Sequence, residues 1–339
     1  MDSFSPPVDP PSRPGYRPHG TGGAATRISG FTFVRNAINL YYPIVESIRS
    51  ILPLCDELVI AAGDSTDETT ALLRSLNEPK LRIIETTWDP ALYKRGGIFA
   101  QQTDIALDAC TGDWAFYLQA DEVVHERDLP LIRAAMERYR EDPRVEGLLF
   151  SYLHFFGDYG HVQTSHNWYG HEIRVVRTGI GVRSWHDAQG FRIEGRKLRV
   201  APTGACIYHY GWVRPPRNLN RKARAFREAY FGTAAAGDAA AAEEPEYRYG
   251  RLRGLRPFRG SHPALMRARV AAQDWTVQSS PPAGHKHDRF GIQVLTALEN
   301  YLLGFRVGER RNFELVPGTG RAQWPAGWRA RLARYAEAE

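Results

Sequence analysis

The chain has 339 residues, a formal net charge of +6 and a hydrophobic content of 43%, which is enough for one large folded domain with an extension, or for two domains. A modest positive excess suits phosphate-bearing ligands or an acidic membrane surface, but the basic residues form no dense stripe, which argues against a nucleic-acid-binding protein. No apolar run approaches the roughly 18 residues that a membrane span needs, and the N-terminus lacks the basic and apolar regions of a signal peptide.

The first half of the chain alternates between predicted strands and helices. Residues 1–26 are rich in Pro and Gly without an apolar period, and they predict a disordered tail. A helix is predicted after the first strand, because Leu40 opens a stripe of apolar residues that runs to Leu52 at helical spacing. A second helix follows the Ser- and Thr-rich turn at 63–69, and a third ends near Cys110. The strands predicted between these helices are 28–34, 57–62 and 81–86.

The next strand ends in two adjacent carboxylates. The apolar run after residues 112–113 (GD) leads into LQADE at 118–122, so that Asp121 and Glu122 follow a buried strand. In an open α/β sheet, ligands bind at the carboxyl ends of the strands, and acidic groups there can hold a hard divalent cation. The structural alternative is that these acids only complement the dipole of a following helix.

The second half is mixed. A helix is predicted at 129–139 and strands at 147–156 and 172–177, and the last third is rich in Arg, Pro and Trp. Strands that alternate with helices imply a mostly parallel sheet with helices on both faces. The predicted fold class is therefore α/β, with a core domain over 27–215 and a helical or irregular C-terminal extension over 216–339 that packs on it.

Four motifs, taken in order, resemble the family 2 glycosyltransferases. They are FVRN at 33–36, STDET at 65–69, GD leading into LQADE at 112–122, and HYGW at 209–212 followed by Lys222. The resemblance covers about residues 28–222. It implies a catalytic domain of the GT-A fold over 27–215 that uses a nucleotide-sugar donor and inverts the configuration of the transferred sugar.

The resemblance also implies a metal site. In that family an Asp-x-Asp motif binds a divalent metal and, through it, the donor diphosphate. Here Gln119 stands in place of the first Asp and Asp121 occupies the second. His209 follows an apolar strand, where related folds often use a His as a further metal ligand; the alternative is a packed ring among aromatic residues. The expected cofactor is Mg²⁺ or Mn²⁺, held by Asp121 and His209.

The donor site is expected near the strand ends. The family often places an acid just before its Gly-Ser-Thr-Asp run, but Ala62 and Gly63 stand there in this chain, which leaves Asp64 for that role and Asp67 for the same role or a helix cap. Arg214, Arg217 and Lys222 are candidates to meet the diphosphate or an anionic acceptor. The residues predicted to bind the donor are Arg35, Asn36, Asp64, Asp67, Asp104, Gln119, Ala120 and Lys222.

Inverting transfer also needs a carboxylate that accepts the proton of the attacking hydroxyl. Asp187 is ranked first, because it lies in a loop with Trp185 and Gly190 that suits sugar stacking and proton transfer. Glu172, at the start of a strand, is ranked second. For both residues a purely structural role is the alternative.

The predicted function is metal-assisted transfer of a sugar from a nucleotide-sugar donor to a glycan or lipid-linked acceptor, in cell-envelope polysaccharide biosynthesis. One alternative is a catalytically silent member of the fold that binds a nucleotide or glycan, as the substitution by Gln119 suggests. The other is a basic module that binds nucleic acid or a membrane surface. Three widely spaced cysteines are typical of reduced thiols, so the expected location is the cytoplasm, either free or peripherally bound at the inner face of the membrane.

Overall fold

The computed structural model describes residues 25–232, 247–252, 254–281, 285–303, 306–308 and 311–319. Residues 1–24, where most of the disordered tail is predicted, lie outside the described residues. The helices are α1 Ile44–Ile51, α2 Thr69–Ser75, α3 Gly97–Asp108, α4 Leu129–Arg138, α5 Pro216–Phe231, α6 Arg267–Ala271 and α7 Phe290–Leu298. The strands are β1 Ile28–Val34, β2 Glu57–Ala62, β3 Leu81–Glu85, β4 Trp114–Tyr117, β5 Glu122–Val124, β6 Gly147–Gly157, β7 His161–Gln163, β8 His171–Arg177, β9 Val182–Trp185, β10 Gly190–Ile193, β11 Arg196–Lys197, β12 Arg199–Val213, β13 Leu255–Pro257 and β14 Glu314–Leu315.

The predicted α/β class is confirmed. Strands β3, β2, β1 and β4 lie side by side and parallel, as the alternating strand and helix pattern predicts. Strand β8 then pairs antiparallel with β4, and β6 pairs antiparallel with β8, so the second half of the sheet is mixed. Within the described residues, β9, β10 and β11 form a separate three-stranded sheet.

The main sheet is buried on both faces. Ile28 and Val34 on β1 point into one core, whereas Phe31 on the same strand points into the other, because successive side chains of a strand alternate between faces. Helix α1 begins at Ile44 and not at Leu40. Pro43 directly precedes the helix, and a proline disfavours helical backbone in the residue before it, here Tyr42.

The C-terminal part adds to the same sheet. Strand β12 runs beside β6 in parallel over most of its length, and the short strand β14 pairs with the start of β12. Helix α5 follows directly after β12 and packs near α3. Among the described residues, no helix combines the length and the apolar character that crossing a membrane would require.

Candidate active site

A cavity of about 360 Å³ opens at the carboxyl ends of β1 and β4, where ligands bind in open α/β sheets. Helix α5 closes its far side with Lys222 and Phe226. Most of the wall is aromatic or aliphatic, which suits stacking against sugar and base rings. The charged, amide and imidazole side chains on the wall are Arg35, Asn36, Gln119, Asp121, Asp187, Gln189, His209, Lys222 and Glu228.

Strand register brings Asp121 and His209 together. Strand β5 pairs antiparallel with β12, and Glu122 lies opposite His209 in that ladder. The backbone N–H of Tyr210 donates to the carbonyl of Asp121 at 2.8 Å. The two side chains that the sequence predicts as metal ligands, 88 positions apart in the chain, therefore face the same cavity.

Asp121 is buried and ion-paired. Its Oδ2 lies 2.8 Å from Lys222 Nζ and 3.9 Å from Arg214 Nη2. Burial by itself raises the pKa of Asp121, but the attraction of Lys222 opposes this and holds that pKa well below its usual range. Asp121 is therefore a carboxylate at every physiological pH.

The cations around Asp121 outnumber its single charge. Burial lowers the pKa of Lys222 to about 8, although Asp121 acts in the opposite direction, so Lys222 is largely protonated at pH 7. The ammonium also donates to the carbonyl of Gly211 at 2.8 Å. Arg214 is fully buried beside the pair. One carboxylate facing two cations leaves a positive excess, which suits an anionic ligand such as a diphosphate.

His209 presents a ring nitrogen to Asp121. Its Nε2 lies 3.9 Å from Asp121 Oδ1, too far for a hydrogen bond. Burial lowers the pKa of His209, against the pull of Asp121, and so favours the neutral ring. Gly211 makes room for this arrangement, since a Cβ at that position would come within 2.4 Å of His209 Nε2 and 2.9 Å of Asp121 Oδ2.

The donor set of Asp121 and His209 fits a divalent cation. Two ligands that each lie about 2.1 Å from one octahedral ion are about 3.0 Å apart when cis and about 4.2 Å apart when trans. Asp121 Oδ1 and His209 Nε2 are 3.9 Å apart, between these two values. The described residues contain no group of three or more His, Cys, Asp or Glu side chains placed to hold a metal. Two protein ligands are nevertheless enough for Mg²⁺, which keeps several waters and binds substrate phosphates.

Asp187 lies on the same cavity wall, in the loop between β9 and β10. The residues on either side of it, His186 and Ala188, both adopt positive φ, which bends the loop sharply. The Tyr230 hydroxyl of α5 donates a hydrogen bond to Asp187 Oδ2. One carboxylate oxygen is thereby fixed by α5.

Gln119 connects the end of β4 to the Asp187 loop. Its Nε2 donates to the carbonyl of Ala188 at 3.3 Å. A carboxylate at position 119 has no proton to donate and would repel that carbonyl. The amide that replaces the first acid of the family motif therefore forms a contact that an Asp could not form.

Glu172 lies behind the cavity wall. It is buried, and its Oε1 accepts a hydrogen bond from Gln189 Nε2 at 2.8 Å, so that Gln189 and not Glu172 lines the cavity. Burial raises the pKa of Glu172 to about 8, although Arg174 and Gln189 lower it. A carboxyl group that is protonated at neutral pH is poorly suited to accept a proton there.

The raised pKa of Glu172 predicts a pH-dependent stability. Its folded pKa of about 8 lies above the ordinary value of 4.5, so the folded state binds a proton that the unfolded state lacks between these values. Stability therefore falls as pH rises through this window and levels off above it. From pH 6 to 9 we expect the wild type to lose roughly 2–3 kcal/mol of unfolding free energy that Glu172→Gln does not lose.

Chemical denaturation at both pH values measures this difference, with Glu146→Gln as the matched control. Hydrogen bonds from Arg196 and Arg199 overcome the effect of burial and lower the pKa of Glu146 to about 2, so its removal should cost the same at pH 6 and 9. Equal pH slopes for wild type and Glu172→Gln would contradict the prediction.

The predicted donor-binding residues separate into two groups. Arg35, Asn36, Gln119, Ala120 and Lys222 line the cavity. The other three are not on the cavity wall and contact other parts of the protein. Asp64 is ion-paired to Arg35 at 3.0 Å. Asp67 accepts hydrogen bonds from the backbone N–H groups of Asn39 and Thr69, and Asp104 accepts one from the N–H of Ser184.

Asp64 acts on the cavity through Arg35. The guanidinium of Arg35 bonds to the side chain and carbonyl of Asp64 and stacks 5.2 Å from the Trp88 ring centre. Trp88 in turn packs against Gly63, where a Cβ would come within 2.4 Å of the indole Nε1. The position where the family often has an acid is thus next to an indole ring in this chain.

Three features of the site were missed by sequence reasoning. Glu122, the second acid after β4, forms a fully buried bidentate pair with Arg174, with both bonds at 2.8 Å, and has a structural role. Tyr230 fixes Asp187, and His154 contacts the inner side of His209. The sequence signal for the Glu122–Arg174 pair is the position of Arg174 among the apolar residues of β8, because a charge within a buried strand needs a partner.

The fold and the cavity define an α/β protein with a cavity at the ends of its parallel strands. Residues 32–192 match the family model described as glycosyl transferase family 2. This match confirms the resemblance over residues 32–192, which contain three of the four motifs, whereas HYGW at 209–212 and Lys222 lie beyond the matched residues. The comparison with curated proteins found no match.

Solved structures with partial similarity include two synthases and a fragment of TarS. Glucosyl-3-phosphoglycerate synthase from Mycobacterium tuberculosis, in complex with Mn²⁺, UDP and phosphoglyceric acid, is 19% identical over 38% of this chain and 43% of that chain, with a TM-score of 0.28. Mannosyl-3-phosphoglycerate synthase from Rubrobacter xylanophilus is 19% identical over 38% and 41%, with a TM-score of 0.27. TarS 1–349 of S. aureus with UDP is 13% identical over 59% and 64%, with a TM-score of 0.34. This chain matches less than half the length of the mycobacterial enzyme.

Proposed function

We propose that the protein transfers a sugar from a nucleotide-sugar donor to a hydroxyl group of a glycan or lipid-linked acceptor, with inversion at the anomeric carbon. The observation that carries the proposal is that one cavity holds both a positively charged cluster and a separate carboxylate. A cationic cluster around Asp121 suits a diphosphate, and a separate carboxylate, Asp187, faces the same space. The family match supports the same reaction class.

The cationic side would bind the donor. Lys222 and Arg214 carry positive charge beside Asp121, and Lys222 lies on the cavity wall. A Mg²⁺ or Mn²⁺ ion held by Asp121 and His209 would add positive charge where negative charge develops on the leaving diphosphate. Aromatic residues such as Trp88 and Trp212 would exclude water and stack on the rings of the substrates.

Asp187 would be the general base. In the reaction the acceptor oxygen forms a bond to the anomeric carbon as the bond from that carbon to the phosphate oxygen breaks. The hydroxyl proton passes to Asp187, and the electron pair leaves with the diphosphate. Tyr230 donates to one oxygen of Asp187, which orients the carboxylate, and Gln119 holds the adjacent carbonyl of Ala188.

A panel of nucleotide sugars with Mn²⁺ or Mg²⁺ tests the proposal. A ligand that binds only the folded state raises the melting temperature by mass action, so the true donor should raise it by a few degrees and then support transfer or slow donor hydrolysis. Stabilisation without any turnover would favour the catalytically silent alternative. No stabilisation by any nucleotide sugar with either metal would contradict both.

A further inference from the structure

Two histidines meet through the same ring nitrogen behind the cavity. His154 Nδ1 lies 2.9 Å from His209 Nδ1, and the two rings are nearly perpendicular, at 82°. Both residues are buried, at 3% and 7% exposure. At this distance only one proton can lie between the two nitrogens, so one ring donates and the other accepts.

The outer nitrogen of His154 decides which ring donates. Its Nε2 lies 2.7 Å from the carbonyl oxygen of Tyr169, which can only accept, so Nε2 carries a proton. The ring is packed among those of Tyr152, Trp168 and Tyr169, which hold its orientation. A neutral His154 with its proton on Nε2 has a bare Nδ1, which accepts a hydrogen bond.

The chain of hydrogen bonds therefore determines the tautomer of His209. Its Nδ1 must carry the proton that His154 accepts. Because a neutral imidazole has only one N–H, the Nε2 of His209 is left with a free lone pair. The nitrogen with this lone pair lies 3.9 Å from Asp121 Oδ1, the carboxylate oxygen that is not the one 2.8 Å from Lys222.

The pairing is built into the sheet. His154 on β6 and His209 on β12 are direct partners in the parallel ladder, and Tyr169 lies in the segment just before β8. The segment before β8 thus holds the carbonyl, and two paired strands hold the first ring and the second ring, in a fixed order. Such a contact orients a metal-binding histidine and increases its basicity.

We propose that His154 is a positioning residue that selects the Nδ1–H tautomer of His209 and so presents the Nε2 lone pair to a divalent cation bound at Asp121. This inference rests on the proposed function in one respect, which is that His209 is taken as a ligand of the divalent cation. It predicts that His154 affects metal affinity although the structure places it behind His209, and not among the residues on the cavity wall.

The experiment combines tautomer detection with metal binding. Protein labelled with ¹⁵N in its histidines, free of metal, is examined by long-range ¹H–¹⁵N NMR, with His209→Gln used to assign the signal. We expect His209 to carry its proton on Nδ1. Mn²⁺ alone is then titrated and followed by electron paramagnetic resonance. We expect His154→Leu to weaken Mn²⁺ binding by roughly 10–100-fold.

Two further variants separate positioning from general damage. In His154→Asn, an amide oxygen can still accept from His209 Nδ1–H, so Mn²⁺ affinity should stay within roughly threefold of wild type. His161→Leu removes a histidine that is 43% exposed and bonds to Asp158, away from the cavity, and should bind Mn²⁺ like wild type.

A proton on Nε2 of His209 in the wild type, or wild-type Mn²⁺ affinity in His154→Leu, overturns the proposal. If His154→Leu does not fold, the wild-type tautomer and the His154→Asn titration still decide it. Neither readout needs a donor sugar or an acceptor, so a failure here is distinct from a failure to find transfer.

Discussion

Asp121→Asn is expected to lower the rate of sugar transfer by roughly 10²–10³-fold, the range measured when one electrostatic contact to a developing charge is removed. The amide keeps the size of the side chain but removes its negative charge. Lys222 then loses the carboxylate 2.8 Å away. Of the two proposed metal ligands, Asp121 and His209, only Asp121 is anionic, so a divalent cation would also lose this negative charge. We expect the loss in kcat/KM for the donor identified by the nucleotide-sugar panel.

A control distinguishes this loss from unfolding. Asp121→Asn leaves a buried ammonium without its partner, which costs stability, so circular dichroism and the melting temperature must accompany the kinetics. Asp142→Asn removes a carboxylate that pairs with Arg144 outside the cavity, and it should retain wild-type turnover. Unchanged turnover in a folded Asp121→Asn protein would contradict the assignment of Asp121 to the active site.

Asp187→Asn is expected to lower kcat by roughly 10²–10⁴-fold, the usual contribution of a general base, while the KM for the donor changes little. The amide introduced at position 187 could still accept the hydrogen bond from Tyr230 but could not take up a proton from the acceptor hydroxyl. Steady-state kinetics with donor and acceptor varied separately measures both quantities.

Two variants serve as comparisons for Asp187→Asn. Tyr230→Phe keeps the carboxylate and removes only its hydrogen bond, so its effect should be smaller. Glu172→Gln should retain transfer near the wild-type rate at neutral pH, because Glu172 lies behind Gln189 and its pKa is raised by burial to about 8. The opposite result, with Glu172→Gln inactive and Asp187→Asn active, would reverse the choice of base.

The local order of the first half was readable from the sequence. The strands β1 and β2 begin and end where the apolar pattern predicts, at Ile28–Val34 and Glu57–Ala62. Asp121 follows β4 at the carboxyl end of the parallel part of the sheet, as the strand order predicts. Apolar periodicity and turn residues are local properties, and they carry this information without reference to the rest of the chain.

The roles of the polar groups were harder to predict. Asp121 and Glu122 are adjacent in the sequence, yet Asp121 faces the cavity with Lys222, and Glu122 is buried with Arg174. Successive side chains point to opposite sides, but which side holds the ligand depends on the strands that pack there. Likewise, Glu172 and Asp187 were both candidate bases, and only Asp187 lies on the cavity wall.

By itself, the sequence determined the α/β order, the strand that precedes Asp121 and, through its motifs, the resemblance to the family 2 glycosyltransferases. The tertiary structure alone decided that Lys222 neutralises Asp121, that Tyr230 orients Asp187 and that His154 meets His209. The physical reason is that these contacts depend on strand register and helix packing between segments 43 to 101 residues apart. A one-residue shift of β12 against β6 would turn His209 to the other face of the sheet, and no local pattern specifies that register.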